Sequence, residues 1–448
     1  MFGSLLIANR GEIACRIMKT ARRMGLRTVA VYSDADAGAR HVRLADEAVR
    51  IGPAAARESY LVVDHIIDAA KRSGAEAIHP GYGFLSENPL LAEACAANGV
   101  VFVGPTPEAI RAMGSKSSAK AIMEKAGVRT TPGYHGAEQS PAGLAAQAER
   151  IGYPVLIKAA SGGGGRGMKV AVDEAALAPM LAQAKTESAA AFGDDTVYIE
   201  KYLGKPRHIE FQIFGDGRGR AVHLGERDCS LQRRHQKVFE ESPSPAIDAA
   251  TRDRMGRRCA DAMAALGYAG AGTIEFLYED GEFYFIEMNT RIQVEHPVTE
   301  MVTGVDLVAE QIRVAGGLPM SLEQDKLGLR GHAIEVRINA EDPRTFAPSP
   351  GTIRTVHPAG GPGVRVDSAV YAGYRVPPYY DSLIAKLIVH GPDRAACLRR
   401  LRRALQEYVI EGVKTTLPLH QALLEEADIQ NGDYSIKWLE AWLQDQRD

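Results

Sequence analysis

The sequence of 448 residues contains only five cysteines, at positions 15, 95, 229, 259 and 397, and no two of them form a CxxC pair. An odd number of scattered cysteines argues against a disulfide framework. The chain also lacks any apolar run close to the ~20 residues that a bilayer span needs. Its first residues, MFGSLLIANRGE, resemble neither a secretory signal nor a transit peptide. We therefore expect a cytoplasmic protein with no membrane segment.

An excess of charge of one sign is missing as well. The 53 Lys and Arg residues nearly balance the 56 Asp and Glu residues, which leaves a net charge of -3. This balance provides no general attraction to nucleic acid or to an anionic membrane. A hydrophobic content of 45% is that of an ordinary globular protein. The length predicts about two to four domains at roughly 100–200 residues each.

The amino-terminal segment has the pattern of a strand, a helix and a second strand. In LLIANRGEIACRIMKTARRMGLRTVAVYSDAD, the side chains of Ile13, Ile17 and Met24 fall on one helix face. EAIH and VVFVG add further short strands with loops after them. Such βαβ units predict a parallel sheet, and ligands bind at the carboxyl edge of such sheets. The segment lacks GxGxxG, so a dinucleotide site is not indicated.

The pattern of predicted strands, helices and turns changes near residue 115 and again near residue 335. Strand pairs with DG and GDG turns fill the middle and predict antiparallel β-structure. The last region mixes strands with the helical segment DRAACLRRLRRALQEYV. We predict a protein of α/β and α+β class with three domains: a doubly wound α/β domain at 1–114, a central nucleotide-binding domain at 115–334 and a smaller α+β domain at 335–448.

A glycine-rich loop, SGGGGRGM, occupies residues 161–168 between two apolar runs. Its serial glycines, Gly163, Gly164, Gly165 and Gly167, let backbone N–H groups approach anionic oxygen closely. Lys158 precedes the loop in a run that should be buried, where an ammonium needs an anionic partner. We predict a flap that closes over phosphates. The alternatives are a surface linker and a lysine whose ammonium reaches solvent.

The segment TIEFLYEDGEFYFIEMN predicts a hairpin that carries metal ligands. A three-residue loop at 279–281 would place Glu275 and Glu287 on one face, as diagonal neighbours roughly 7–8 Å apart. A two-residue loop would place them on opposite faces. With Asn289 they form a set of oxygen ligands suited to Mg²⁺ or Mn²⁺. The alternative for any single glutamate is a solvated polar face.

The segment IEMNTRIQVEHP, residues 286–297, places polar side chains at every second position. In an extended chain they share one face. These side chains are Glu287, Asn289, Arg291, Gln293 and Glu295. The row would offer metal ligands first, then a guanidinium that can hold an anion, and finally a candidate base.

Basic and polar residues form two further clusters. KPRHIEFQ places His208 and Glu210 on one strand face, and the second cluster, in ERDCSLQRRHQKVFEE, contains Gln232, Arg233, Arg234, His235 and Lys237. A solvated charged loop is the alternative for the second cluster. Neighbouring acidic residues argue against nucleic-acid binding there. Arg337 lies mid-strand between apolar residues in IEVRINAED, where a structural ion pair is its alternative.

These motifs together resemble the biotin carboxylase family, the ATP-grasp component of biotin-dependent carboxylases, over essentially the whole chain. The motifs that carry the resemblance are IANRGEIA, HPGYGFLSEN, GGGGRGM, ERDCSLQRRHQK, IEMNTRIQVEHPVTE, RINAEDP and PPYYDS. The resemblance implies an ATP-grasp fold for the central domain, with a mobile lid at about residues 131–203. It also implies two bound Mg²⁺ or Mn²⁺ ions.

The resemblance further implies a role for each matching residue. Lys116, Lys158 and the glycine loop would bind the phosphates of ATP, with Glu200 and Leu203 beside the adenine. The nucleotide site would be completed by His208, Gln232, His235 and Lys237. The metals would be held by Glu275, Glu287 and Asn289. Bicarbonate would be bound by Lys237, Arg291, Gln293, Val294 and the base Glu295. Biotin would be bound by Tyr82, Gly83 and Arg337.

The implied reaction is the ATP-dependent carboxylation of biotin by bicarbonate through carboxyphosphate. Because no carrier domain follows in the chain, we expect biotin on a separate biotin carboxyl carrier protein, or a longer parent chain. The resemblance also implies carboxyltransferase subunits as partners and a homodimer. The carboxyl-terminal motifs favour the acetyl-CoA carboxylase of fatty acid synthesis over methylcrotonyl-, geranyl- or propionyl-CoA carboxylases. Two other classes stay open: another ATP-grasp carboxylate–amine ligase, and a non-catalytic ATP-binding subunit.

Overall fold

The computed structural model describes residues 1–134, 136, 138–159, 168–192 and 195–446. The chain forms two compact units. The large unit consists of Met1–Gly127, Arg207–Phe276 and Glu287–Asp448, and the small unit consists of Val128–Pro206 and Leu277–Ile286.

The amino-terminal part of the large unit contains a five-stranded parallel sheet, in the order β3-β2-β1-β4-β5. Its strands are β1 (Ser4–Ile7), β2 (Arg27–Ser33), β3 (Glu47–Gly52), β4 (Ala77–His79) and β5 (Val101–Phe102). The helices of this part are α1 (Gly11–Arg23), α2 (Arg40–Leu44), α3 (Val63–Ser73), α4 (Pro89–Ala97), α5 (Pro107–Gly114) and α6 (Lys116–Lys125). The predicted parallel sheet is therefore confirmed. Leu5 and Ile7 pack in one apolar cluster and Leu6 in another, so both faces of the sheet are covered.

The small unit is built on a four-stranded sheet in the order β6-β9-β7-β8, with antiparallel neighbours. Its strands are β6 (Gly133–Tyr134), β7 (Val155–Ala159), β8 (Lys169–Ala171) and β9 (Val197–Lys201), and its helices are α7 (Pro141–Ile151) and α8 (Glu174–Phe192). Leu144 of α7 and Leu181 of α8 pack against Ile157 and Ile199 of the sheet. The helices thus bury the apolar face of the strands that carry Lys158 and Glu200.

The rest of the chain contains the strands and helices that hold most of the predicted site. The strands are β10 (Arg207–Asp216), β11 (Ala221–Arg233), β12 (Gln236–Ser242), β13 (Ala269–Glu279), β14 (Glu282–Asn289), β15 (His332–Asn339), β16 (Gly351–Thr352), β17 (Thr355–His357), β18 (Val364–Ser368), β19 (Arg375–Val376), β20 (Leu383–Gly391) and β21 (Val409–Glu411). The helices are α9 (Ala249–Ala265), α10 (His296–Thr303), α11 (Leu307–Ala315), α12 (Arg394–Glu407), α13 (Leu417–Leu423), α14 (Ala427–Asn431) and α15 (Trp438–Asp445).

Eight of these strands form one sheet in the order β14-β13-β10-β11-β12-β15-β20-β18. The strand pairs from β10 to β18 run antiparallel. Glu240 lies opposite Glu335, and Arg337 lies opposite Lys386. Apolar residues such as Val336 and Leu387 alternate with these charged residues and enter the core beneath the sheet. Side chains from three neighbouring strands therefore meet on one sheet face.

The hairpin of β13 and β14 turns through two residues, so the predicted three-residue loop is wrong. Asp280 and Gly281 form the turn, with φ angles of 51° and 83°. Two successive left-handed residues are what a tight hairpin turn of this kind requires. The rings of Tyr278 and Phe283, one residue beyond Glu279 and Glu282 on each side, lie 4.6 Å apart. The register that was built on the longer loop is wrong as well.

The predicted extended row over residues 287–295 is also only partly correct. The strand β14 ends at Asn289, and Glu295 stands immediately before α10 with φ -81° and ψ 6°. Strict alternation of burial already ends within β14, because Met288 and Asn289 are both buried. The backbone after the strand bends, and its bends decide where the five polar side chains point.

All five cysteines are buried and free. Among the described residues, no helix is both long enough and apolar enough to cross a membrane.

Candidate active site

The ammonium of Lys237 is the meeting point of three carboxylates in the large unit. Its Nζ lies 2.5 Å from Glu210 Oε2, 3.1 Å from Glu275 Oε1 and 2.7 Å from Glu295 Oε1. These carboxylates come from β10, β13 and the turn before α10. Burial would lower the pKa of Lys237, but the three carboxylates outweigh burial and hold that pKa well above its ordinary value. The lysine is therefore a fixed positive charge at the centre of the site.

The buried side chain of Arg227 contacts Glu210 and so supports the group of charges around Lys237. Its five N–H groups have acceptors on five side chains: Glu210 at 2.6 Å, Gln212 at 2.7 Å, Thr299 at 2.9 Å, Gln293 at 2.5 Å and Thr273 at 3.2 Å. A guanidinium has five such donors, so Arg227 is fully satisfied within the protein. It fixes Glu210 and Gln293 in place and leaves no donor for a ligand.

The carboxylate of Glu295 bridges Lys237 and Arg337. While Oε1 contacts Lys237, Oε2 accepts a hydrogen bond from Arg337 Nη2 at 3.0 Å. Arg337 Nε donates to Glu240 Oε1 at 2.5 Å. Burial would raise the pKa of Glu295, but the surrounding cations, Lys237 first among them, hold it below its usual value. Glu295 is thus an ionised carboxylate between two cations, and the ion pair that was the alternative for Arg337 is present.

The predicted nucleotide residues of β10–β12 meet beside Glu275. His208 Nε2 lies 2.9 Å from Glu275 Oε2, and Gln232 Nε2 lies 3.5 Å from His208 Nδ1. Burial would lower the pKa of His208, but the Glu275 charge raises it to about 9. His235 stands apart, exposed in the β11–β12 turn with φ 67°. The alternative for this cluster, a solvated charged loop, applies only to the residues of the turn.

The predicted metal ligands lie near one another at the end of β14. Asn289 Nδ2 donates to Glu275 Oε1 at 2.8 Å, although the predicted hairpin register is wrong. Glu287 is exposed, and its pKa is raised because desolvation and the nearby Glu275 charge disfavour its ionised form. The ammonium of Lys116, at the start of α6, opposes that shift. Two carboxylates that repel each other are a place where a divalent cation fits.

Among the described residues, two other groups have ligand atoms close enough together to hold a metal ion. They are His208 with Glu210 and Glu275, and Glu210 with Cys229 and Glu295. Glu210, Glu275 and Glu295 already surround the Lys237 ammonium. The positive charge that balances these carboxylates is therefore the ammonium of Lys237.

The remaining residues of the predicted row diverge from one another. Gln293 Nε2 donates to Glu275 Oε1 at 2.7 Å, and the carbonyl oxygen of Val294 accepts from Lys386 Nζ at 2.7 Å. Arg291 turns toward Glu87, with its Nε 3.0 Å from Oε2. Its Nη2 donates to Asn289 Oδ1 at 2.6 Å. Lys386 and Glu87 therefore anchor the turn that carries Gln293 and Glu295.

Tyr82 and Gly83, the predicted biotin residues, lie in the loop that follows β4. The Tyr82 hydroxyl donates to the buried carboxylate of Glu12, which also lies 3.3 Å from Lys386 Nζ. Burial raises the pKa of Tyr82 well above its usual value, and the charge of Arg337 opposes that shift. Gly83 is exposed and has a φ of 69°. Tyr82 is thus close enough to Arg337 to feel its charge.

In the small unit, Lys158 of β7 forms an ion pair with Glu200 of β9, and its side chain is 26% exposed. The anionic partner that burial required is thus supplied by the protein. Leu203, beyond the end of β9, is buried. Gly163, Gly164, Gly165 and Gly167, the predicted phosphate loop, lie outside the described residues.

Several charged residues that surround the site were not predicted from the sequence: Glu12, Glu87, Arg227, Glu240, Glu335 and Lys386. Glu335 and Lys386 stand between apolar neighbours in strands, as in AIEVRIN and IAKLIV. A charged residue at a buried strand position was a usable signal. Its partner, however, lies on another strand far away in the chain.

Family models match three successive segments of the chain. They describe a biotin carboxylase N-terminal domain at residues 1–110, the ATP binding domain of the carbamoyl-phosphate synthase L chain at 115–323, and a biotin carboxylase C-terminal domain at 335–441. Biotin carboxylase of Haemophilus influenzae is 56% identical over 441 residues, which cover 98% of each chain. The chain belongs to the biotin carboxylase family. It is accordingly a ligase that carboxylates biotin in an ATP-dependent reaction.

Other members of the biotin carboxylase family differ in the acid that their complexes carboxylate. A pyruvate carboxylase subunit of Methanothermobacter thermautotrophicus is 52% identical, with 99% of this chain and 90% of the relative covered. The biotin carboxylase domain dimer of the Hydrogenobacter thermophilus 2-oxoglutarate carboxylase has 47% identity and a TM-score of 0.86, with 98% of each chain covered. That dimer was solved with MgADP, ADP and bicarbonate. The predicted family and fold class are confirmed.

Proposed function

We propose that this chain carboxylates the biotin of a separate carrier protein through carboxyphosphate, as the first half-reaction of an acetyl-CoA carboxylase in fatty acid synthesis. The observation that carries the chemical part is the Glu295 carboxylate, held between Lys237 and Arg337. The acetyl-CoA assignment rests on the carboxyl-terminal motifs APSPGTI, PPYYDSLIAKLIVHG and NGDYSIKWLE.

In this mechanism Glu295 is the base that removes the proton of bicarbonate. The cations beside it keep the carboxylate ionised at neutral pH. They also attract a bicarbonate anion, with Arg291 at the edge of the same site. As the proton leaves, negative charge develops on bicarbonate, and Lys237 and Arg337 stabilise that charge. The same two groups therefore orient the base and favour the nucleophile.

ATP would be held mainly through the charges of its phosphates. Lys116 and Lys158 supply ammonium groups for phosphate oxygens, and the glycine loop supplies backbone donors. Glu275, Glu287 and Asn289 would hold Mg²⁺ or Mn²⁺, because their oxygens are the ligands that these ions prefer. Two bound ions would offset negative charge on the phosphates during phosphoryl transfer. Glu200, Leu203, His208, Gln232 and His235 would contact the rest of the nucleotide.

Biotin would be bound by Tyr82, Gly83 and Arg337. The Arg337 side chain is 14% exposed, so part of it is open to a ligand. Carboxyphosphate would break down to CO₂ and phosphate, and the phosphate would take the N–H proton of the biotin ureido group. A fixed guanidinium stabilises the resulting biotin anion. Capture of CO₂ by this nitrogen completes the half-reaction.

The organisation and partners of the protein follow from the same proposal. The three domains at 1–114, 115–334 and 335–448, with a lid at about 131–203, would form a cytoplasmic homodimer. Its macromolecular partners would be a biotin carboxyl carrier protein and carboxyltransferase subunits. A second candidate is the biotin carboxylase subunit of a pyruvate carboxylase, favoured by the 52% identity to such a subunit. Carboxylases for methylcrotonyl-, geranyl- or propionyl-CoA share the same half-reaction, and only the acceptor distinguishes them.

ATP cleavage by the purified chain, measured with and without bicarbonate and free biotin, tests the chemical part. We expect cleavage to require bicarbonate and to rise with biotin. Cleavage that requires an amine instead would indicate another ATP-grasp ligase, and ATP binding without turnover would indicate a non-catalytic subunit.

The acceptor is tested by isolating the biotinylated carrier and the transferase that co-purify with the chain. The isolated complex is then assayed with acetyl-CoA, propionyl-CoA, methylcrotonyl-CoA, geranyl-CoA and pyruvate. Preferential carboxylation of acetyl-CoA supports the proposal, and preferential carboxylation of pyruvate supports the second candidate.

A further inference from the structure

The guanidinium of Arg337 has two anionic partners, of which the proposed mechanism uses only one. Nη2 donates to Glu295 Oε2 at 3.0 Å, whereas Nε donates to Glu240 Oε1 at 2.5 Å. Glu240 is fully buried on β12, the neighbour of the strand that carries Arg337. Because Nε is the least mobile nitrogen of the group, the bond to Glu240 fixes the plane in which the other nitrogens point.

We propose that Glu240 is a positioning residue of the carboxylation reaction, which holds Arg337 in place while Glu295 gains and loses a proton. The inference rests on the proposed function. When Glu295 accepts the bicarbonate proton, the bicarbonate O–H bond breaks and its electron pair stays on the carbonate oxygen. The new O–H bond leaves Glu295 neutral, so Arg337 loses one anionic partner. Glu240 takes no part in that transfer and remains as the counter-charge.

The cross-strand neighbour of Glu240 explains how two carboxyl groups can lie side by side in the core. Glu335 lies opposite Glu240 and is fully buried, and within the described chain neither of its side-chain oxygens has a hydrogen-bond partner. Burial raises the pKa of Glu335 well above its usual value, although Lys386 opposes that shift. Burial also raises the pKa of Glu240, to about 7, but Arg337 at bonding distance opposes that shift, so above pH 7 Glu240 is ionised and the proton of the pair resides on Glu335.

Other charged and titratable groups also face these carboxyls and contribute to the pH dependence of the site. They lie in the loop after β4, on β10, β11, β12 and β20, and in the turn before α10. These groups are Tyr82, Glu210, Arg227, Cys229, Lys237, Lys386 and Glu295. All of them stay unchanged when Glu240 or Glu335 is replaced by glutamine. A difference between those two variants therefore reports on the replaced carboxyl itself.

The test compares Glu240→Gln with Glu335→Gln in the full chain. Rates of bicarbonate-dependent ATP cleavage and of biotin carboxylation are measured between about pH 5.5 and about pH 9, on both sides of neutral pH. In Glu240→Gln the carboxyl whose pKa lies at about 7 is gone, so the acid limb of the pH profile should shift to lower pH. Misplacement of Arg337 should lower biotin carboxylation roughly 10- to 100-fold. Glu335→Gln, which mimics a protonated glutamate, should keep the wild-type profile.

The variant Glu240→Asp keeps the negative charge on a shorter side chain. It provides a second test if Glu240→Gln fails to fold. We expect a wild-type acid limb with reduced biotin carboxylation, because the charge remains but the bond to Nε lengthens. An acid limb and rate like the wild type in both Glu240 variants would overturn the inference, as would an equal shift in Glu335→Gln. A wild-type chain without bicarbonate-dependent ATP cleavage would instead contradict the proposed function, and this inference with it.

Discussion

Lys237 and Glu295, which are 58 residues apart in the chain, form a buried ion pair with 2.7 Å between Nζ and Oε1. The lysine is shared with Glu210 and Glu275, so the pair is part of a larger balanced group. A carboxylate in such a group stays ionised but is not free to move. This is the state that a base needs if it is to meet bicarbonate in one orientation.

Replacement of Glu295 by glutamine should abolish the bicarbonate-dependent turnover of ATP. The amide keeps the size of the side chain and can still accept from Lys237, but it cannot take a proton. General bases contribute about 10²- to 10⁴-fold to rate, and we expect a loss in that range. Phosphate release measures turnover, and calorimetric titration should show ATP affinity close to wild type. Glu323→Gln, at a 55% exposed glutamate, is the control. Unchanged turnover would refute the assignment of the base.

Replacement of Arg337 by alanine should impair the biotin half of the reaction more than the bicarbonate half. The guanidinium is fixed by Glu240 and Glu295 and is partly exposed, so its loss removes a stabiliser of the biotin anion. We expect at least about 100-fold less carboxybiotin and a smaller loss of bicarbonate-dependent ATP cleavage. Radiolabelled bicarbonate measures the first quantity and phosphate release the second. Equal losses would count against a role in biotin activation; the exposed Arg344→Ala is the control.

Replacement of Glu287 by glutamine should weaken Mg²⁺ binding and so raise the Mg²⁺ concentration that ATP cleavage requires. The Glu287 carboxylate has a raised pKa because of desolvation and of its neighbour Glu275, and a divalent cation would relieve that repulsion. We expect the Mg²⁺ concentration for half-maximal ATP cleavage to rise about tenfold. Glu282→Gln changes a glutamate at the other end of β14 and is the control. The same Mg²⁺ requirement in both variants would remove Glu287 from the metal site.

The sequence was sufficient to predict the amino-terminal sheet and that Glu275, Asn289 and Gln293 lie near one another. Ser4–Ile7 is fully buried, and its apolar run has the pattern of a central parallel strand. The hairpin was mispredicted because Asp280 and Gly281 both adopt positive φ, and Asp-Gly is a signal for the two-residue turn that was found. Asn289 still forms a hydrogen bond to Glu275, because the alternation of more and less buried residues along β14 stops at Glu287.

The supporting residues were beyond prediction for a different reason. Glu240 and Arg337 are 97 residues apart, and only the pairing of β12 with β15 brings them together. Sequence patterns show that a strand is buried, but they do not show which strand lies beside it. A charge in a buried strand therefore predicts that a partner exists without predicting its identity.

A buried histidine behind Arg337 should make folding stability depend on pH. His420 Nε2 lies 2.7 Å from the carbonyl oxygen of Arg337, and burial lowers the pKa of His420 from 6.5 to about 4. The unfolded chain therefore binds a proton near pH 6.5 that the folded chain does not bind until about pH 4. The stability that this neutral histidine provides is complete above pH 6.5 and is lost as pH falls toward 4.

Between pH 7 and pH 5 the loss due to this one group is about 2 kcal/mol. His420→Gln keeps a donor for the Arg337 carbonyl and removes the titration. We expect the variant to lose about 2 kcal/mol less of its free energy of unfolding than the wild type over that range. Urea denaturation at both pH values measures the difference, and the exposed His65→Gln controls for the loss of an imidazole. Equal pH dependence in His420→Gln and the wild type would mean that His420 is protonated, or solvated, in the folded chain.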